Sequence, residues 1–99
     1  MAKKIIIYWR DIPSQVMAQK GRKRHKVFLS ERFQEAIDRA AMRAGKGSSE
    51  AYIAEWRRES SQCPDEDLDG MVKAEAERLE SEYTDDRLLE LIRSHGSAG

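Results

Sequence analysis

The first apolar run of the chain, IIIYW at residues 5–9, predicts a β-strand, because it is rich in β-branched and aromatic residues and too short for a helix. Alternation places apolar side chains on both faces, which is typical of a strand covered on both sides. Residues 11–13 end this strand, since Asp favours turns and Pro cannot donate to a ladder. Residues 14–19 predict a second strand, Gly21 a turn, and residues 26–29 a third strand. We therefore expect an antiparallel hairpin or meander.

The next segment changes to a helical period. Ser30 is a candidate N-cap, Glu31 suits the first turn, and Gly45 ends the pattern as a C′ residue. The apolar residues between them recur at steps of three and four, so they form one helical face: Phe33, Ala36, Ile37, Ala40, Ala41 and Ala44. This helix is the most clearly marked element of the chain.

The stretch GKGSSEAYIAEWRRES, at residues 45–60, predicts a loop and a short helix capped by Ser48 or Ser49. The apolar stripe of that helix would consist of Tyr52, Ile53 and Trp56. A strand is the alternative interpretation, with Tyr52, Ala54 and Trp56 on one face.

An acidic helical segment is predicted after the linker SSQCPDED at residues 60–67. Pro64 suits the first helical position, and a narrow apolar stripe follows at Leu68, Val72, Ala76, Leu79 and Tyr83. Thr84 is a second cap signal before a Leu- and Ile-rich turn, and the residues from Ser94 onwards are expected to be disordered. The fold class is therefore α+β, with an antiparallel N-terminal hairpin or meander packed on helices. We expect a core domain at residues 1–60 and an acidic helical C-terminal extension at residues 61–99.

The net charge of zero conceals two halves of opposite sign. Residues 1–47 carry 12 Lys and Arg against 4 Asp and Glu, and residues 48–99 carry 6 against 14. A basic half can face an anionic partner, or the two halves can attract one another within the fold. No apolar run approaches the ~20 residues that span a bilayer, and the N-terminal run is too short for a signal peptide. We therefore expect a cytoplasmic protein that makes no contact with a membrane.

Candidate catalytic chemistry is sparse. Cys63 is the only cysteine, and the two histidines, His25 and His95, are seventy residues apart. Neither a nucleophile with a nearby base nor a metal-ligand spacing is present. The AGKGSS stretch lacks the earlier glycine and the preceding strand of a phosphate loop. We therefore expect no enzymatic activity, no cofactor and no metal.

The sharpest candidate for binding is a basic cluster at residues 20–26. It could be a solvated hairpin turn, a turn docked on the acidic half of the chain, or a site for an acidic protein partner. A basic ribbon can also lie along phosphates, with Tyr8 and Trp9 available for stacking, although Trp9 follows an isoleucine run and its position favours the core. Nucleic acid is the less favoured partner, because the acidic half opposes a polyanion.

Three segments, YWRDIPSQVMAQKGRKRHK, LSERFQEAIDRAAMRAG and AYIAEWRR, resemble in order and spacing a small bacterial family labelled virulence factor. The resemblance covers residues 5–58, and its most specific parts are residues 8–16 and 33–45. The label implies no reaction, so it implies no catalytic residues. Genes of that family can lie among genes for folate- and corrinoid-linked one-carbon enzymes, which implies an accessory role in such a system.

The resulting prediction is a small protein-interaction or accessory module without enzymatic activity. Its predicted partner-binding residues are Trp9, Arg10, Asp11, Arg22, Lys23, Arg24, Lys26 and Trp56. Arginine can pair bidentately with partner carboxylates, and tryptophan often anchors interfaces. A nucleic-acid-binding module and an accessory subunit of a one-carbon enzyme system are the alternatives, and the oligomeric state stays open.

Overall fold

The computed structural model describes residues 2–45, 49–63 and 67–96, and it confirms the α+β class. The strands are β1 (Ala2–Trp9), β2 (Ile12–Lys20), β3 (Lys23–Phe28) and β4 (Trp56–Cys63). The helices are α1 (Glu31–Arg43), α2 (Ser49–Ala54), α3 (Leu68–Glu82) and α4 (Asp85–Arg93). The strands form one antiparallel sheet in the order β3-β2-β1-β4.

The first hairpin is longer than the sequence pattern indicated. Strand β2 begins at Ile12, so Pro13 lies inside it and does not precede it. The register shifts between Ile7 and Tyr8, whose partners are Gln15 and Pro13, so β2 carries an extra residue there. A bulge of this kind tolerates proline, because the bulge already interrupts the hydrogen-bond ladder.

Strand β3 starts three residues before the predicted position. Only Gly21 and Arg22 form the turn between β2 and β3, and Gly21 has a positive φ of 57°. A positive φ at the first central position suits a tight two-residue hairpin and favours glycine. Most of the basic cluster therefore belongs to an edge strand, not to a turn.

Strand β4 was not predicted. The short helix ends at Ala54, and residues assigned to that helix and to the linker form a strand paired with β1 from Trp9–Trp56 to Ala2–Cys63. The strand alternative was also wrong, because Tyr52 and Ala54 lie in the helix. Strand β4 is almost entirely exposed, so it carries no apolar alternation, and its ladder to β1 decides its conformation.

The other three helices follow the prediction closely. Ser30 occupies the N-cap position of α1, but its N–H and hydroxyl donate to the Glu80 carboxylate at 2.7 and 2.9 Å. Helix α4 begins after Thr84, whose hydroxyl accepts from the Arg87 N–H. The predicted roles of Ser48 and Pro64 lie outside the described residues.

The hydrophobic core lies between one face of the sheet and the helices. Helix α3 packs on β2 and β3, and α4 packs on α1, so both C-terminal helices are part of the packed structure. Their buried residues are Leu68, Val72, Ala76, Leu79, Leu88, Leu91 and Ile92. The division into a core domain at residues 1–60 and an acidic helical extension at residues 61–99 stays a prediction. Within the described ranges, no helix has both the length and the apolar character needed to cross a membrane.

The chain beyond α4 turns back onto the sheet. Residues 94–96, which were expected to be disordered, are structured, and residues 97–99 lie outside the described part. Gly96 is buried, and its N–H donates to the Leu91 carbonyl. The Asp11 N–H donates to the Gly96 carbonyl at 2.8 Å, so the C-terminal turn is tied to the β1–β2 turn.

Candidate interaction surface

The residues predicted to bind a partner do not lie together. Arg10 and Asp11 form the turn at one end of β2, and Arg22 lies in the turn at the other end. Strand β2 has nine residues, which places the two turns roughly 30 Å apart. The two groups of predicted residues therefore belong to different regions of the molecule.

Trp9 is a core residue. Its side chain is fully buried, and its indole N–H donates to the Tyr52 carbonyl at 2.9 Å. The Tyr52 ring stacks on Trp9 and meets the half-buried Trp56 ring edge-on, with centroids 6.0 and 5.7 Å apart. Trp9 therefore supports the fold, and only Trp56 of the two tryptophans reaches the surface.

Arg10 and Asp11 are engaged within the chain. Arg10 donates to the His95 carbonyl at 2.8 Å and pairs with Glu55 at 3.2 Å. Arg57 pairs with Asp11 at 3.0 Å and donates to the Arg10 carbonyl at 2.7 Å. These contacts join the β1–β2 turn to Glu55 between α2 and β4, to Arg57 of β4 and to the C-terminal turn, so their first effect is on stability.

The basic cluster divides between the two faces of the sheet. Arg24 and Lys26 are exposed and alternate with His25, which points to the helix side and lies 3.9 Å from Asp69 of α3. Side chains opposite one another in paired strands share a face. The strand registers therefore identify which residues lie beside Arg24 and Lys26.

We call the face away from the helices the open sheet face. Its first row, nearest the β2–β3 turn, consists of Arg24, Gln19, Lys3 and Gln62; the second of Lys26, Met17, Ile5 and Ser60; the third of Phe28, Gln15, Ile7 and Arg58. None of these side chains belongs to the hydrophobic core cluster, which takes the alternate positions Ala2, Ile6, Val16 and Ala18.

The charge of the open sheet face is of one sign. Four of its twelve side chains are cationic, and none is a carboxylate: Lys3, Arg24, Lys26 and Arg58. Among the described residues, none of these four pairs with a carboxylate. Cations elsewhere do, as in the pairs Lys4–Glu75, Arg10–Glu55, Arg32–Glu80, Arg57–Asp11 and Lys73–Asp69. The carboxylates of these five pairs therefore lie on the helix side or at the ends of the sheet.

The centre of the open sheet face is apolar. Ile5 is only 4% exposed, Ile7 and Met17 are half-buried, and Phe28 is 65% exposed. The Lys26 ammonium lies 4.9 Å from the centre of the Phe28 ring. A shallow depression of about 320 Å³ adjoins Ile7 and Trp56. Cations around an aliphatic centre can bind a surface that is both apolar and acidic.

The surroundings of two titratable side chains, Glu75 and Tyr8, shift their pKa values. Hydrogen bonding from Arg78 lowers the pKa of Glu75, although burial opposes the shift. Burial, followed by nearby Glu59, raises the pKa of Tyr8 to about 12, so its phenol stays protonated at neutral pH. Within the described ranges, no three His, Cys, Asp or Glu side chains are grouped as metal ligands, and Cys63 is a half-buried free thiol at the end of β4.

Sequence reasoning missed half of the cations on this surface. Lys3 precedes the predicted first strand, and Arg58 was assigned to a helix, so neither could be placed beside Arg24 and Lys26. In β3 the exposed and half-buried positions alternate from Arg24 to Phe28, but its first four residues are all polar, so the sequence shows no alternation there, and the polar sequence of β4 shows none either.

Comparison with known proteins places the chain in one family. A family model described as Virulence factor matches residues 7–92 of the 99 residues. No curated protein and no solved structure matches the chain. The matched region runs from the second half of β1 to the last turn of α4, so it includes most of the open sheet face. On this match, the chain belongs to the Virulence factor family.

Proposed function

We propose that this member of the Virulence factor family is a non-enzymatic module that binds a partner protein through its open sheet face. The supporting observation is the set of four cations on that face, none of which has a carboxylate partner among the described residues. Unpaired charges of one sign around an apolar centre are typical of a surface that meets a complementary one.

The apolar centre favours protein over nucleic acid. Proteins that bind single strands stack bases on several aromatic side chains, whereas Phe28 is the only aromatic residue among the twelve. The half-buried side chains of Ile7 and Met17 offer aliphatic contacts instead. Such contacts stabilise a protein interface but cannot replace a stacking platform.

Nucleic-acid binding is the second candidate, and the same four cations favour it. It predicts retardation of single-stranded RNA or DNA at low salt, with affinity falling steeply as salt rises. It also predicts that Phe28→Ala weakens binding by roughly 1–3 kcal/mol, the usual contribution of one stacked base. The accessory role in a one-carbon enzyme system stays a prediction from family resemblance, because no contact of the described residues bears on it.

A photo-crosslinking amino acid at Ser60 tests the proposed function in the native cell. Ser60 is exposed and lies beside Ile5 on the open sheet face, and Glu77, exposed on α3, is the matched control position. We expect a discrete protein adduct from the Ser60 position and none from Glu77. Equal adducts from both positions, or none from Ser60, would refute the assignment of this face.

A further inference from the structure

The open sheet face is not uniform along its strands. Its first row has two cations and no apolar side chain, and its apolar residues are confined to the second and third rows. Across the strands, the aliphatic residues Ile5, Ile7 and Met17 lie on the central strands β1 and β2. Arg24 and Lys26 flank them on β3, and Arg58 flanks them on β4.

We infer that the partner element is an amphipathic acidic α-helix, which lies along β1 and β2 with carboxylates on both sides of its apolar stripe. This inference rests on the proposed function and names the chemistry of the partner. A sheet face is ordinarily covered by helices. The outer strands are about 14 Å apart, so one helix of about 10 Å diameter covers the central pair and leaves the outer strands to contact its flanks.

The cations specify the charge of those flanks. A partner helix with lysines at its sides would place them against Lys26 and Arg58, and buried or half-buried like charges oppose association. A helix with glutamates at the same positions meets a cation on each side and Lys3 towards one end. The other face of the sheet shows a related arrangement, since the acidic helix α3 packs there on β2 and β3 and pairs with Lys4.

Binding of three synthetic probes to the whole protein, followed by fluorescence anisotropy, tests this inference. The first probe is a helical peptide with a leucine stripe and glutamate flanks. The second has the same stripe with lysine flanks, and the third is polyglutamate of equal charge. We expect the first probe to bind at least about tenfold more tightly than either of the others, because only it satisfies both the cations and the aliphatic centre.

Charge-reversal variants locate the site. Lys26→Glu combined with Arg58→Glu is expected to weaken binding of the first probe about tenfold, since each surface ion pair contributes up to roughly fivefold in affinity. Arg39→Glu combined with Arg43→Glu on α1 reverses the same number of charges at two exposed residues away from this face, so it is the matched control and is expected to change binding less than twofold. Circular dichroism of each variant checks that it is folded.

Several results would overturn the inference. Equal binding of the lysine-flanked peptide would show that only the apolar stripe matters, and equal binding of polyglutamate would show that only charge matters. Absence of binding by the first probe would also reject it. Self-association of the protein in sedimentation that is abolished by Lys26→Glu with Arg58→Glu would show that a second copy occupies the face, and would reject it too. A Ser60 cross-link to a partner element that is not an acidic helix would reject the inference and leave the proposed function standing, whereas absence of any Ser60 cross-link would reject both.

Discussion

Gly96 fixes the C-terminal turn against the core, so Gly96→Ala is a demanding test of the fold. Gly96 has a φ of 89°, and a Cβ added there would lie 2.8 Å from Cζ3 and 3.2 Å from Cε3 of Trp9. The Trp9 ring is fully buried and held by Tyr52, so it has little room to move. The substitution must therefore strain the backbone and displace either the ring or the turn.

The loss in the free energy of unfolding is set by whichever costs less, displacement of the Trp9 ring or detachment of the C-terminal turn. A left-handed alanine costs about 1–2 kcal/mol, and overpacking a core typically adds about 1–3 kcal/mol. If the turn detaches instead, the protein loses the bonds from Asp11 to Gly96 and from Arg10 to His95, each contributing about 1 kcal/mol. We expect a loss of about 2–3 kcal/mol, equivalent to a fall in Tm of about 10–15 °C for a chain of this length.

Urea unfolding followed by tryptophan fluorescence measures this loss, with Gly45→Ala as the matched control. Gly45 follows α1 with a φ of 72°, and an added Cβ there meets no atom of the described residues within 4 Å. The control therefore reports the backbone cost alone, about 1–2 kcal/mol. If Gly96→Ala and Gly45→Ala lower the free energy of unfolding equally, the contact between Gly96 and Trp9 contributes nothing and the reasoning fails.

Three further predictions concern Glu80, Tyr8 and Arg32. Burial raises the pKa of Glu80, but hydrogen bonds from Ser30 and Arg32 together lower it below its ordinary 4.5. Its carboxylate therefore contributes stability above about pH 5 that is lost as the pH falls through the native pKa. In Glu80→Gln, the urea midpoint should therefore fall less between pH 6 and pH 3 than it does in the unsubstituted protein. The Tyr8 phenol should ionise near pH 12 in an ultraviolet titration of folded protein, and loss in Tyr8→Phe of a component that titrates at the ordinary value of 10.0 would contradict this assignment. Arg32→Lys should lower the free energy of unfolding by about 1–2 kcal/mol, because lysine cannot bind Glu80 and the end of α3 together, whereas an equal loss in the exposed control Arg39→Lys would refute a specific role.

Local sequence determined the elements whose own residues show an apolar periodicity or a helix N-cap. The stripe from Phe33 to Ala41 defines α1, and the Thr84 hydroxyl marks the start of α4. The apolar run at residues 5–9 defines the centre of β1. These elements were predictable because the signal and the structure involve the same short segment.

The tertiary structure alone decided β4 and the distribution of charge. Strand β4 has mostly exposed polar side chains, so its conformation depends on hydrogen bonds to β1, about fifty residues away in sequence. By its residue type and its position after the isoleucine run, Trp9 could be an interface anchor or a core residue, and the packing of Tyr52 and Gly96 around it places it in the core. Lys3 and Arg58 join Arg24 and Lys26 on one face through strand register, which is a property of pairing between distant segments. The sequence by itself therefore determined the basic and acidic halves, and the sheet determined which cations lack an acidic partner among the described residues.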